Sequence, residues 1–150
     1  EELMSLNEGD FCHANSTADV TIRRAEPADL AALIVLYADA GHMSRSRAAV
    51  ERPLRDTRIW LAAKGGELRS VALTNAESLS LAMIGGVFTP PQWRGNGLSQ
   101  AVCSALCAEL LAEGRRPVLY WDTPAAGKIY AKLGFRSLGQ WRSVWLRKKM

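Results

Sequence analysis

A glycine-rich loop between a predicted strand and the strongest predicted helix is the segment best suited to chemistry. The loop reads Gln92-Trp93-Arg94-Gly95-Asn96-Gly97, and the helix begins directly after it at Leu98. A helix N-terminus presents unpaired backbone N–H groups and the positive end of the helix dipole. Glycines let the main chain fold around an anion, and Arg94 adds a positive charge. The pattern predicts a site for phosphate oxygens, although an ordinary strand-to-helix turn would also use glycines.

Two familiar phosphate-binding loops do not fit this segment. No Gly-Lys-Ser/Thr follows the loop, which disfavours a P-loop nucleotidase. The G-x-G-x-x-G pattern is not met either, because Gln100 stands at the position of its third glycine. We therefore expect a phosphate-bearing ligand that is bound by a loop other than these two nucleotide-binding types.

The elements on both sides of the loop have clear sequence signals. Leu79 to Phe88 is predicted as a strand, and its adjacent Gly85 and Gly86 are typical of a bulge or of a place where another group approaches the backbone closely. The helix from Leu98 to Glu113 has apolar residues three and four apart. Such a strand and helix hold the loop at an edge of a sheet.

The remaining elements are predicted from hydrophobic periodicity, helix caps and turn residues. They are a strand at 20–24, a helix from Pro27 closed by Gly41, a helix from its cap Ser44 to Arg52 ended by Pro53, strands at 58–63 and 68–74, a buried strand at 117–121, a helix at 125–133, and a closing hairpin from Phe135 and Trp141. The order β α α β β β α β α β β predicts an α/β fold with a mixed, largely antiparallel sheet flanked by helices. We expect 20–150 to form a single domain and 1–19 to be a loosely attached polar tail or the remnant of an upstream segment.

Length and composition are those of one globular domain. The chain has 150 residues, of which 48% are hydrophobic and 23% charged, so a core can form without disulfides or metals. Its longest apolar runs are at most about nine residues, and no membrane span is expected. The three cysteines lack metal-ligand spacing, and Cys103 and Cys107 are expected to pack as small apolar residues. A cytoplasmic location and no metal site are the expectations.

Positive charge is concentrated in the C-terminal part of the chain. Residues 1–91 have a net charge of −3 and residues 92–150 have +7, the latter including the tail Arg147 to Lys149. An anionic partner would explain this, as would a solvated surface. No nucleic-acid-binding motif accompanies the charge, so a phosphorylated small molecule is favoured over nucleic acid.

Three segments together resemble the GNAT superfamily of acetyl-coenzyme A dependent N-acetyltransferases. The loop Gln92 to Gly97 is similar to the superfamily's Q/R-x-x-G-x-G/A signature. Tyr130-Ala131-Lys132-Leu133-Gly134-Phe135 resembles the Tyr-x-Lys-x-Gly-Phe ending of its last helix. Ile84 to Pro91 resembles one branch in which an aromatic residue follows Gly-Gly-Val. The predicted element order agrees, so the resemblance extends over all but the N-terminal segment.

The resemblance implies transfer of an acetyl group from acetyl-coenzyme A to an amine by direct attack. The pyrophosphate would bind the amides of 94–98, the pantetheine arm would follow Gly86 and Val87, and an N–H near Val87 would bind the thioester oxygen. Tyr130 would protonate the departing thiolate as general acid. Thr123 stands where many members have Asn, and its hydroxyl would cap the helix or contact the cofactor. The implied cofactor-binding residues are Gly86, Val87, Trp93, Arg94, Gly95, Asn96, Gly97, Leu98 and Thr123.

The general base and the acceptor have no such motif. Glu77 and Asp122, at strand ends, and His42 are candidate bases, and a water chain is the alternative. The acceptor could be a small amine, an antibiotic, a peptide N-terminus or a lysine side chain. Residues 37–56 and the last hairpin are expected to shape its site. Trp141 and Trp145 of that hairpin are expected to pack in the core, with the alternative that one of them lines the acceptor site. The arginines at 45, 47, 52 and 55 hint at an acceptor that carries a carboxylate, although arginines on a helix are usually solvated.

Two other interpretations stay open at this stage. A non-catalytic module that senses acyl-coenzyme A or binds a protein partner could use the same scaffold, because a fold does not determine a function. A nucleic-acid binder that uses the basic C-terminal part is the less favoured of the two.

A homodimer is also compatible with the sequence.

Overall fold

The computed structural model describes residues 1–15 and 19–146. One seven-stranded sheet runs through these residues, with helices against it. The strands are β1 Glu2–Ser5, β2 Thr21–Arg24, β3 Ile59–Lys64, β4 Glu67–Glu77, β5 Leu81–Phe88, β6 Arg116–Trp121 and β7 Arg136–Gln140. The α-helices are α1 Leu30–Ala38, α2 Arg47–Asp56, α3 Leu98–Ala112 and α4 Pro124–Leu133. No helix of the described residues is long and apolar enough to cross a membrane.

The sheet has the order β2-β3-β4-β5-β6-β1-β7. Only β5 and β6 are parallel, and every other neighbouring pair is antiparallel. This arrangement confirms the mixed, largely antiparallel sheet that the sequence predicts. Side chains from alternate positions of β3 and β4 enter two separate cores, one beneath α1 and α2 and the other beneath α3 and α4.

The second helix differs from its prediction at both ends. Its cap is Ser46, whose hydroxyl accepts the N–H of Ala49 at 3.2 Å, and not Ser44. Pro53 lies inside the helix and does not end it. The missing N–H of Pro53 removes one helical hydrogen bond, but the next turn continues, since the Thr57 N–H donates to the Pro53 carbonyl. Burial of the Pro53 ring offsets the lost bond.

The first strand corrects the prediction of a loose N-terminal tail. Glu2–Ser5 lies inside the sheet, antiparallel to β6 on one side and to β7 on the other. Leu6, which follows it, is fully buried, and its N–H donates to the carbonyl of Pro117. A strand of four residues has too little local pattern to be recognised, because its stability comes from two distant partners. The predicted tail also included residues 16–18, which lie outside the described residues.

The closing hairpin is also wrong in its second half. The strand predicted from Trp141 is not formed among residues 141–146, because β1 already fills the position between β6 and β7. Trp145 is 92% exposed, whereas a core position was expected. Trp141 stacks on Tyr120, with ring centroids 5.1 Å apart. The basic tail at 147–149 lies outside the described residues.

The cysteines behave as small apolar residues where this was predicted. Cys103 and Cys107 are free thiols buried in the core beneath α3, and Cys12 is a free thiol at the surface. Burial raises the pKa of the Cys103 thiol to about 12. The two buried thiols are therefore neutral and unreactive at physiological pH.

A buried arginine links the end of α3 to the strands β3 and β4. Arg58 is 5% exposed, and its guanidinium contacts Glu77 at 2.6 Å and Glu113 at 2.5 Å. Glu109 lies 3.3 Å from the same guanidinium and accepts the indole N–H of Trp60. These contacts hold the C-terminal half of α3 against β3 and β4.

Truncation of Leu6 tests the role of the N-terminal strand. The change Leu6→Ala leaves a cavity in the core, and we expect it to lower the free energy of unfolding by about 2–5 kcal/mol. Leu138→Ala is the control, because Leu138 on β7 is 62% exposed. Chemical denaturation of both variants measures the difference. Equal stabilities for the two variants would contradict the placement of this segment in the core.

Candidate active site

A gap opens between the two parallel strands of the sheet. β5 pairs with β6 only from Leu81 to Met83, opposite residues 116–118. Beyond Met83 the strands diverge, so residues 84–88 and 119–121 face each other without ladder pairing. Main-chain N–H and C=O groups along such a gap are available to an extended ligand, which can bind as an added strand would.

Two glycines shape the β5 side of the gap. The pairing of β4 with β5 shifts register on both sides of the two pairs Leu73–Gly85 and Thr74–Ile84, which confirms the predicted irregularity. Gly86 has φ +57°, in the left-handed region that favours glycine. The Tyr37 hydroxyl donates to the Gly86 carbonyl at 2.5 Å and holds this conformation. A Cβ at Gly86 would lie 2.8 Å from that hydroxyl oxygen, so a larger residue would displace the Tyr37 contact as well.

The glycine loop leads from the end of β5 to the start of α3. Gly95 and Gly97 have φ values of +81° and +72°. The N–H groups in the first turn of a helix have no intrahelical acceptor. Gly97 precedes the first helical residue and has no side chain that could accept from them, so the start of α3 is uncapped. Arg94 donates from Nε to the Thr89 carbonyl at 2.9 Å. No acidic residue occurs from 78 to 108, so the loop and the first turns of α3 contribute no negative charge of their own.

Side chains outside the motif hold the loop in place. Thr89 lies between Ser70 on β4, at 2.8 Å, and Ser99 in the first turn of α3, at 2.6 Å, which forms a chain of hydroxyls. The guanidinium of Arg69 lies 3.8 Å from the ring centroid of Trp93, and its Nε is buried without a hydrogen bond. Sequence reasoning missed these residues, because only the pairing of β4 with β5 brings them to the loop.

Tyr130 lies on the buried face of α4. The helix packs closely on β6, since a Cβ at Gly127 would lie 2.6 Å from the Trp121 ring. The Tyr130 ring contacts Phe135 edge-on, at 5.8 Å between centroids. No hydrogen bond among the described residues uses its hydroxyl. Burial, together with the neighbouring thiols of Cys103 and Cys107, raises the pKa of Tyr130 well above its usual value. The phenol is therefore protonated at neutral pH and can donate.

Glu77 is engaged in the structure. It pairs with Ala82, at the start of β5 and away from Gly86. Burial favours its neutral form, but hydrogen bonds from Arg58 and Thr74, with the charges of Arg58 and Arg115, outweigh this and hold the pKa of Glu77 below its usual value. Such a carboxylate is a weak proton acceptor.

The other predicted polar residues are exposed. Asp122 and Thr123 follow β6 directly, at the same edge of the sheet as the glycine loop that follows β5. Thr123 precedes α4 but makes no capping hydrogen bond, so its hydroxyl is not used there. His42 lies in an exposed turn between α1 and α2.

Comparison with known proteins identifies the family of this chain and solved structures of similar fold. The family model described as FR47-like protein matches residues 64–146, which is more than half of the chain. No curated protein matches the sequence.

Solved structures resemble this chain over most of its length. The GCN5-related N-acetyltransferase from Sphaerobacter thermophilus superposes with a TM-score of 0.77 at 18% identity, over 92% of this chain and 48% of that one. The acetyltransferase from the GNAT family of Colwellia psychrerythraea superposes with a TM-score of 0.73 at 17% identity, over 91% of this chain and 52% of that one. The Trypanosoma brucei acetyltransferase superposes with a TM-score of 0.67 at 20% identity, over 85% of this chain and 100% of that one.

These likenesses, at identities below 25%, concern the fold. They confirm the GNAT-like arrangement of sheet and helices that the sequence motifs predict. This chain spans about half the length of the Sphaerobacter and Colwellia proteins, and the whole length of the Trypanosoma one.

Proposed function

The chain belongs to the FR47-like protein family, within the GNAT superfamily, and from this premise we propose that it is an acetyl-coenzyme A dependent N-acetyltransferase. One observation carries the proposal: the gap between β5 and β6 opens toward a glycine loop at an uncapped helix start. We propose a small-molecule or peptide amine as acceptor and the cytoplasm as its place of action, where free thiols such as Cys103 persist.

Coenzyme A needs contacts for its pyrophosphate and for its pantetheine arm, and the described residues could supply both. The amides from Arg94 to Leu98, with the charge of Arg94, would bind the two phosphates at the start of α3. Trp93, Gly95 and Asn96 would shape this loop, and the exposed Thr123 hydroxyl would contact the cofactor from the neighbouring strand end. The open edge of β5 at Gly86 and Val87 would bind the pantetheine amides as a strand partner would.

Acetyl-coenzyme A, when bound, supplies an acetyl group activated as a thioester. The N–H at or near Val87 would donate to the acyl oxygen, which gains negative charge as the amine attacks. The Tyr130 hydroxyl would donate its proton to the coenzyme A sulfur. A thiol has a pKa of about 8.5, well below that of the phenol, so Tyr130 is protonated at neutral pH and available for this transfer. After each turnover it would regain a proton from solvent.

The incoming amine must lose its proton before it attacks. Glu77 is held by Arg58, and we do not assign this role to it. Asp122 is exposed and directly follows β6, one of the two strands that border the gap, and we propose that it accepts the proton directly or through water.

A charge placed at the helix start tests the coenzyme A site. For wild type, acetyl-coenzyme A at about 100 times Kd should add about 2.7 kcal/mol of stability, or about 5–10 °C in Tm. Gly97→Glu should abolish this shift, because a carboxylate would occupy the phosphate position. Gly114→Glu is the matched control, since Gly114 follows the same helix with φ +75°, close to the +72° of Gly97.

Both glutamate variants carry a similar backbone strain. The unliganded Tm should fall somewhat less for Gly97→Glu, because the helix dipole favours a carboxylate at the start of α3 and disfavours one at its end. Each variant is therefore compared with its own unliganded Tm, and only Gly114→Glu should keep the shift caused by acetyl-coenzyme A. Wild-type protein that is folded but unaffected by acetyl-coenzyme A would refute the proposed function.

Removal of one hydroxyl tests the general acid. Tyr130→Phe should lower kcat by about 100- to 10,000-fold, while stabilisation by acetyl-coenzyme A is retained. Release of free thiol with an amine acceptor measures kcat, and the thermal shift measures binding. Unchanged kcat would remove Tyr130 from the mechanism. Binding without turnover of any amine by wild type would favour the sensing module over the enzyme.

A further inference from the structure

We propose that Arg45 and Arg52 form an anion site that binds a carboxylate on the acceptor, so that the acceptor is a small amine bearing a carboxylate. This inference rests on the proposed function and names the substrate class of the same site. The sequence contains four arginines in this region, and the structure separates them into two kinds.

Two of the four arginines are paired with acids on their own helix. Arg47 contacts Glu51 at 2.6 Å, and Arg55 contacts Asp56 at 2.8 Å. Arg45 and Arg52 form no salt bridge with any described carboxylate. Their charges are therefore available to a ligand.

Arg45 is half-buried and held in a defined position. Its Nη2 donates to the side-chain oxygen of Asn75 at 3.0 Å, and its guanidinium lies 5.7 Å from the ring centroid of Tyr37. Its Nη1 lies 3.5 Å from the carbonyl of Ala49. That carbonyl is free because Pro53, four residues later, has no N–H to donate to it. The proline inside α2 thus helps to orient the arginine.

Arg52 reaches the same residue of β4. Its Nη1 donates to the main-chain carbonyl of Asn75 at 3.0 Å. Two cations therefore meet at one asparagine without a salt bridge to either of them, and the exposed Asp56, which is paired with Arg55, acts on Arg52 only at longer range. Each guanidinium has five N–H donors, and most of them remain free for a further acceptor. A carboxylate would neutralise the pair and accept from both.

The position of this pair relates it to the proposed reaction. Asn75 packs against Gly85, where a Cβ would lie 2.1 Å from its amide nitrogen. The Nε of Arg45 lies 3.0 Å from the place of a Cβ at Gly86, in the segment proposed to bind the thioester. A carboxylate held here stands a few bonds away from an amine at the acyl group. The geometry favours a short amino acid over a long polyamine or a neutral amine.

Acceptor pairs that differ in this charge test the inference, and their rates are compared at equal concentrations of unprotonated amine. Glycine, β-alanine and γ-aminobutyrate are each compared with their primary amides in a thiol-release assay with acetyl-coenzyme A. Wild type should prefer at least one acid to its amide by on the order of 10- to 100-fold in kcat/KM, the effect of hydrogen bonds to a charged group. Arg45→Gln and Arg52→Gln should each lose most of this preference.

The paired arginines provide matched controls for the same assay. Arg47→Gln and Arg55→Gln remove the same charge from α2, the helix that carries Arg52 and follows Arg45, and should retain the preference. Arg45→Lys keeps the charge but loses the planar donor set, and it should fall between wild type and Arg45→Gln. Stabilisation by acetyl-coenzyme A shows that each variant is folded.

The outcomes separate this inference from the proposed function. If acetyl-coenzyme A stabilises wild type but no acid is preferred to its amide, or Arg45→Gln keeps the preference, the anion site is wrong and the proposed function stands. If acetyl-coenzyme A does not stabilise wild type, the proposed function fails and this inference fails with it.

Discussion

The parallel contact between β5 and β6 is short, and the whole candidate site depends on where it ends. Three residue pairs join the strands, and the last is Met83 with Val118. On the other side of β5, the register shifts against β4 and the Tyr37 hydroxyl holds the Gly86 carbonyl. On the other side of β6, β1 pairs as far as Trp121. Each strand is therefore held by its outer neighbour while the space between them stays open.

The helix that follows the gap is fixed at both ends by polar contacts. The hydroxyls of Ser70, Thr89 and Ser99 link its first turn to β4. The buried Arg58 binds the carboxylates near its C-terminal end. Desolvation of such an arginine is unfavourable, and only several carboxylate partners compensate for it. The arrangement keeps the uncapped N-terminus of α3 in position beside the gap, and it also removes Glu77 from the acids that could serve catalysis.

Local signals were sufficient for the parts of the fold that are encoded locally. The glycine loop, the helix after it and the Tyr130 to Phe135 segment were predicted from their residues and resemblance. Strand β1 could not be recognised, because four residues with two distant partners carry little pattern of their own. The second strand of the closing hairpin was wrong for the same reason, since a distant segment occupies its place. Pro53 was misjudged because burial of its ring outweighs the general preference of proline for helix ends.

The candidate site shows a similar division. A motif identifies groups that lie together along the chain, but the neighbours of those groups come from other strands. The sequence shows four equivalent arginines at 45–55, and only the ion pairs of the folded chain distinguish Arg45 and Arg52 from the others. Arg69 beneath Trp93 and Asn75 beside Gly85 likewise depend on the register of β4.

The most direct test of the account is to record the backbone amide resonances of the protein while coenzyme A is added. If the gap binds coenzyme A, the largest shifts should fall on the amides of residues 94–98 and of Ile84 to Phe88, which line the loop and the gap. Residues of β2, at the opposite edge of the sheet, should change little. Binding that leaves both segments unshifted, or that shifts another surface, would contradict the assignment of this gap as the coenzyme A site.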